Sequence, residues 1–173
     1  MLAVTFALAR GPLSAPVRYA ELARALGIGL GERAPLVDVR EAVLALRRRK
    51  GMVLDPGDAD TVSVGSFFTN PVLSREQLAE VGVRAGSEPP AFPLDDGTVK
   101  TSAAWLIERA GFGRGHGDPA TIAISTKHTL ALTNRGAGTT AELVALARAI
   151  AGEVERRFGV RLEPEPVFVG HEW

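Results

Sequence analysis

Cysteine is absent from this 173-residue chain, so it has neither a disulfide framework nor a thiolate metal site. Neither sign of charge dominates. The 20 lysines and arginines are matched by 20 aspartates and glutamates, which leaves no basic excess for nucleic acid or an anionic membrane surface. No apolar run approaches the roughly 20 residues that cross a bilayer. No charged region precedes the first apolar stretch in the manner of a secretory signal. Internal repeats and low-complexity tracts are also lacking. These absences suit a cytoplasmic protein. The length accommodates one domain with a proper core, or one domain and part of another.

Short apolar stretches and amphipathic helices alternate irregularly with hairpin signals, which gives the class α+β. Residues 2–10 place Leu2, Val4, Phe6 and Leu8 at period two and read as a strand. Such a strand needs a neighbouring sheet to pair with, and no hairpin partner follows. Residues 19–27 read as a short helix. Asp38 and Glu41 resemble a capping box opening a second helix, with Val39, Val43 and Leu46 inward and Arg47-Arg48-Arg49-Lys50-Gly51 at its end. Residues 52–64, rich in Asp and Gly, read as a connection between two bodies. Ser74 with Gln77 caps a helix to about Val81. Thr139 with Glu142 caps the clearest helix, which carries Leu143, Leu146, Ala147, Ile150, Val154 and Phe158 and stops at Gly159. Asp95-Asp96-Gly97 signals a hairpin turn, and short strands are expected at 121–124, 129–133 and 167–169. The glycine-rich residues 111–118 lack the Gly-Lys-Ser/Thr of a Walker-type phosphate loop.

The stretch with the most chemistry is Gly65-Ser66-Phe67-Phe68-Thr69-Asn70-Pro71. Glycine permits a positive φ or a close backbone approach, and proline biases Asn70 towards an extended conformation. Two phenylalanines can anchor the segment in apolar surface while Ser66 and Asn70 face elsewhere. On residue types alone, a strand end followed by a turn accounts for it better.

The same seven residues resemble the active-site signature of the UDP-N-acetylenolpyruvoylglucosamine reductase (MurB) family. Other segments are similar to that family in the same order: Tyr19-Ala20-Glu21-Leu22, Lys100-Thr101-Ser102-Ala103-Ala104-Trp105-Leu106-Ile107-Glu108, residues 125–134, and Phe158-Gly159-Val160-Arg161-Leu162-Glu163-Pro164-Glu165. The resemblance implies a C-terminal substrate-binding domain of the MurB type at 52–173. Residues 1–51 would be a remnant of a truncated FAD-binding domain, comprising its final strand and helices. It implies a reductase that uses FAD and NADPH to convert UDP-N-acetylglucosamine enolpyruvate to UDP-N-acetylmuramate for peptidoglycan synthesis.

By the same resemblance Ser66 is the proton donor and Glu165 the acidic residue near the substrate carboxylate. Tyr19 closes over the substrate, Asn70 lies near the diphosphate, and Lys100 and Lys50 are cationic contacts. The family often has an arginine where Val167 stands, and its Tyr-Arg motif would fall just before Leu2. Without a FAD-binding domain in cis or in trans, the chain is expected to hold no cofactor and to be inactive alone. Self-association through the N-terminal strand is also expected. The alternatives are a stand-alone nucleotide-sugar-binding or interaction module, or a MurB-like oxidoreductase acting on another carbohydrate.

Overall fold

A computed structural model describes residues 3–173, which divide after Lys50 into two units, the second being Gly51–Trp173. The first unit contains α1 (Ala20–Leu26) and α2 (Leu36–Arg49). Gly27 ends α1 in the left-handed conformation. The small interior of this unit consists of Val17, Ala23, Ala34 and Leu46.

Two expectations for this unit are corrected. Residues 3–10 form no strand, and Val4, Phe6 and Leu8 are exposed; Leu2 lies outside the described residues. Period-two alternation selects a face, but a strand exists only where another backbone completes its ladder. The Asp38–Glu41 capping box is also not formed. Pro35 occupies the N-cap of α2, so Asp38 sits inside the first turn and Glu41 pairs with Arg40.

The second unit runs through β1 (Ser63–Ser66), β2 (Val72–Leu73), α3 (Arg75–Ala85), β3 (Phe92–Pro93), β4 (Val99–Lys100), α4 (Ala103–Arg109), β5 (Ile122–Ile124), β6 (Ala131–Asn134) and α5 (Thr140–Phe158). Two antiparallel three-stranded sheets result, ordered β1-β6-β5 and β2-β4-β3. Mixed helices and sheets make this an α+β domain. Both capping boxes expected here are present, Ser74 with Gln77 and Thr139 with Glu142. Helix α3 runs on to Ala85 rather than stopping near Val81, because Gly86 is the residue that takes the left-handed turn.

The core gathers Phe67, Phe68, Leu106, Ile107, Ile124, Leu132, Ile150, Val154 and Leu162, drawn from the residues just after β1, α4, strands β5 and β6, α5 and the segment after it. Burying residues of this size contributes about 1.5–3 kcal/mol each. Residues 167–169 do not form the expected last strand. Val167 and Val169 are exposed, while Phe168 turns in against Phe67 with ring centroids 6.2 Å apart. The alternation there identifies the inward side chain correctly, but no sheet edge receives the backbone.

Candidate active site

The site is built around the exit of β1. Ser63 lies opposite Thr133 and Ser66 opposite Ala131, so β1 carries one more residue than β6 across the same interval. That bulge falls at Gly65, whose φ of 88° is the left-handed region. The position where a Cβ would sit is empty, so glycine is required here by backbone conformation and not by space. A bulge bends the strand and re-aims the next side chain, which is Ser66.

Beyond the bulge, the backbone of residues 67–71 is bonded on both sides. The Phe67 N–H donates to the Leu130 carbonyl at 2.7 Å, and the Phe67 carbonyl accepts from the Glu165 N–H at 2.8 Å. Phe68 bridges Pro164, and the Thr69 N–H donates to the Glu163 carbonyl at 3.0 Å. Next the Thr101 N–H donates to the Pro71 carbonyl at 3.0 Å, and Val72 pairs with Lys100. Underneath, the Phe67 and Phe68 rings meet edge to face at 5.1 Å and both contact Trp173. The two phenylalanines are thus the anchor that their adjacency led one to expect.

These backbone bonds join the segments that carry Ser66, Asn70, Lys100 and Glu165 into one connected ridge of backbone in the second unit. Ser66 is half-buried, and its hydroxyl has no side-chain hydrogen bond among the described residues. The Asn70 Oδ1 accepts the Ala103 N–H at 2.9 Å, satisfying one of the unpaired donors that open α4. That bond fixes the amide's orientation and leaves its NH2 as a donor on the exposed side. Lys100 lies on the central strand β4 with its side chain exposed, and Glu165 is exposed beside Ser66's neighbour. Tyr19 and Lys50 belong to the first unit. Tyr19 is the exposed N-cap of α1 rather than part of a buried helix face, and the Lys50 Nζ is 2.9 Å from Glu21 Oε2. The hydrogen bond from Lys50 holds the Glu21 carboxyl below its usual range.

One group in this region had no counterpart among the candidates. Asp60, in the stretch read as a connection, is 4% exposed. Its carboxylate accepts from the Thr126 N–H at 3.2 Å and from the Thr126 hydroxyl, and Arg135 Nη2 is 2.6 Å away. A short 3-10 turn at Ala59–Thr61 presents it, with Asp58 as N-cap. Lys127 bonds Asp58 and thereby holds that carboxyl low and its own ammonium high. These bonds tie the entry of β1 to both ends of the β5–β6 hairpin. The Asp-rich composition was visible in the sequence, but only tertiary placement distinguishes the one buried aspartate from its solvated neighbours.

The glycine-rich residues 111–118 do not form a cradle for dinucleotide phosphates. Five of their N–H groups are already engaged: Gly111 with the Glu108 carbonyl, Phe112 with Ile107, Gly115 with Ile124, His116 with Gly113 and Asp118 with Ile122. The described residues therefore do not fit a flavin's diphosphate at this loop. The donors of the ridge, a hydroxyl, an amide NH2 and an ammonium, match instead a ligand rich in anionic oxygen.

The family model for the C-terminal domain of UDP-N-acetylenolpyruvoylglucosamine reductase matches residues 55–169. The chain is 60% identical over 173 residues to the reductase of that name from Thermobifida fusca, covering 96% of the chain and 48% of the relative. With that from Salinispora arenicola it shares 62% identity over 174 residues, 98% of the chain and 48% of the relative. With that from a Mycobacterium species the figures are 55% over 171 residues, 98% and 49%. The chain spans about half the length of the curated relatives it matches. On these matches the chain belongs to the UDP-N-acetylenolpyruvoylglucosamine reductase family, and residues 55–169 are its C-terminal domain.

Proposed function

We propose that Gly51–Trp173 is the substrate-binding domain of a flavoprotein reductase that completes UDP-N-acetylmuramate, and that residues up to Lys50 belong to the edge of its FAD-binding domain. The observation that supports this reading is the pairing of residues 67–69 with 163–165, which brings the segment of Glu165 alongside the segment that follows Ser66.

In the reaction that the family resemblance implies, FAD held by a separate domain and reduced by NADPH would supply the hydride for the enolpyruvyl double bond, and the other carbon would need a proton. Ser66 is the donor of that proton, aimed by the Gly65 bulge and recovering a proton from solvent afterwards. An unassisted hydroxyl is a weak acid, so the transfer depends on a preorganised network around the developing enolate. Glu165 supports the enolate oxygens in its protonated form or through a water, since two ionised carboxylates repel. Lys100 and the outward NH2 of Asn70 supply donors for the diphosphate. By the family resemblance, Tyr19 and Lys50 are further substrate contacts of the whole enzyme. Val167, where the family often has an arginine, cannot make a polar substrate contact.

Reconstitution tests the proposal. This chain is mixed with a separately produced FAD-binding domain, and NADPH oxidation dependent on UDP-N-acetylglucosamine enolpyruvate is followed. Turnover that falls at least about 100-fold in Ser66→Ala supports the reading, in keeping with the usual contribution of a proton-transfer residue. Turnover unaffected by that substitution would refute the role of Ser66. Association of the two halves without any turnover would favour a binding module. Sedimentation of the same samples reads out self-association through the exposed Val4, Phe6 and Leu8.

A further inference from the structure

Three helices of the second unit end at a common cleft of about 500 Å³ lined by Arg84, Ala85, Arg109, Arg156, Arg157 and Phe158. Arg84 and Ala85 close α3, Arg109 closes α4, and Arg156, Arg157 and Phe158 close α5. None of the four arginines belongs to the ridge formed by Ser66, Asn70, Lys100 and Glu165.

Cations at helix C-termini complement the macrodipole, which explains why arginines gather here. It does not explain how their donors are disposed. Glu153 is occupied by two of them, with Arg156 Nε at 2.7 Å and Nη2 at 2.6 Å and Arg157 Nε at 2.5 Å. Arg157 Nη1 also donates to the Arg109 carbonyl at 3.3 Å. Arg84 is 3.8 Å from Glu80, beyond hydrogen-bond range. The Arg109 guanidinium lies over the Trp105 ring, 5.4 Å from its centroid, and among the described residues its N–H groups have no acceptor.

The carbonyls that might have served them are already engaged. Those of Gly82 and Val83 accept from Ser87 and Gly86, and those of Leu106, Ile107 and Glu108 accept from Ala110, Phe112 and Gly111. Arg84 has its guanidinium laid across the end of α5, with Nη1 3.3 Å from where a Cβ on Gly159 would stand. Two guanidinium groups from different helices therefore line one cleft with donors unspent, one held over an indole and one laid over a glycine.

We propose that this cleft is a second binding site, separate from the substrate ridge, for a multiply charged phosphate anion of pyrophosphate size. A guanidinium presents parallel N–H groups that match the oxygens of a phosphate bidentately. A fork stacked on an aromatic face is held in plane before the ligand arrives, so less side-chain freedom is lost on binding than with a lysine. The cleft volume is within the range of small-molecule sites, while its lining is cationic where most such sites are apolar. Glu153 occupies Arg156 and Arg157, whose remaining N–H groups form the wall, and Arg84 and Arg109 make the primary contacts.

The test is calorimetric titration of the 173-residue chain with inorganic pyrophosphate, against inorganic phosphate at matched ionic strength, with Arg84→Ala, Arg109→Ala, Arg109→Lys and Lys100→Ala variants. The expected result is saturable pyrophosphate binding at one site, weakened at least about tenfold by Arg84→Ala and by Arg109→Ala. Arg109→Lys keeps the charge but loses the fork, and is expected to restore only part of that loss. Lys100→Ala leaves this binding unchanged, which separates it from the substrate ridge. Circular dichroism confirms that each variant is folded, and Arg84→Ala decides the matter if Arg109→Ala is not. Binding lost in Lys100→Ala but kept in both arginine variants would place the anion on the ridge and overturn the proposal. Non-saturable heats, or equal affinity in all four variants, would also overturn it.

Discussion

The two units of this protein use similar local signals to very different effect. In the first, α1 and α2 lack side-chain N-caps, and the buried apolar residues are Val17, Ala23, Ala34 and Leu46. In the second, α3 and α5 carry reciprocal capping boxes, and the core includes two adjacent phenylalanines, four branched aliphatic side chains from α4 and α5, and a C-terminal indole set at a tilt against both rings. Two alanines and two aliphatic side chains cannot offset the ordering of some fifty residues, when fixing each backbone costs about 1–2 kcal/mol. The second unit therefore specifies itself. The contrast shows that helical periodicity is cheap to encode, whereas a self-sufficient interior requires large side chains to converge from segments far apart in sequence.

Substitutions sharpen this contrast. Phe67→Ala is expected to have the largest effect, destabilising the second unit by about 3–5 kcal/mol, because Phe67 is 1% exposed at the centre of the ring cluster. Urea unfolding followed by Trp fluorescence measures it, and a loss under about 1 kcal/mol would mean the ring cluster is not the anchor. Asp60→Ala comes next, at about 3 kcal/mol, because it leaves the Arg135 charge and the Thr126 donors without their partner. Arg135→Met in the same background should recover part of that loss in the same unfolding assay.

Gly65→Ala costs about 1–2 kcal/mol through its positive φ alone. In the reconstituted enzyme it lowers kcat more than this modest destabilisation accounts for, since the bulge aims Ser66. Thr139→Ala costs about 1 kcal/mol by removing a formed cap, whereas Asp38→Ala stays within about 0.5 kcal/mol because no cap is there to remove.

The smallest effect concerns pH. Arg156 and Arg157 lower the Glu153 carboxyl from 4.5 to about 2. A carboxyl lowered by folding stabilises the native state above its unfolded value and loses that contribution as pH falls through its folded one. The difference in acid stability between wild type and Glu153→Gln is therefore constant above about pH 4.5 and vanishes by about pH 2. Being exposed, the group contributes little, and the shape of the difference curve is the observable.

Much of the site was legible because its signals are local. Gly65 must adopt a conformation that few other residues tolerate, Phe67 and Phe68 must be buried, and Ser74 and Thr139 cap the helices that follow them. The two misread strands share one cause. Residues 3–10 and 167–169 alternate correctly, yet alternation states only which side chains share a face, and a strand also needs a partner. The Asp38–Glu41 spacing was right for a capping box, but Pro35 had already set where the helix begins. Asp60 escaped notice because a buried aspartate and a solvated one are the same letter.

By itself, then, the sequence determined where helices α3 and α5 begin and where α5 stops, that an aromatic-anchored turn follows a glycine, and through its resemblance which family the chain joins. Tertiary structure alone decided that the Glu165 backbone pairs with Phe67, that Asn70's oxygen is spent on α4, and that four arginines from three helices share one cleft. The physical reason is range. Dihedral preferences, caps and periodicity act within a few residues of the chain, whereas hydrogen bonds such as Glu165 to Phe67 join residues about a hundred positions apart and exist only once the core has brought them together.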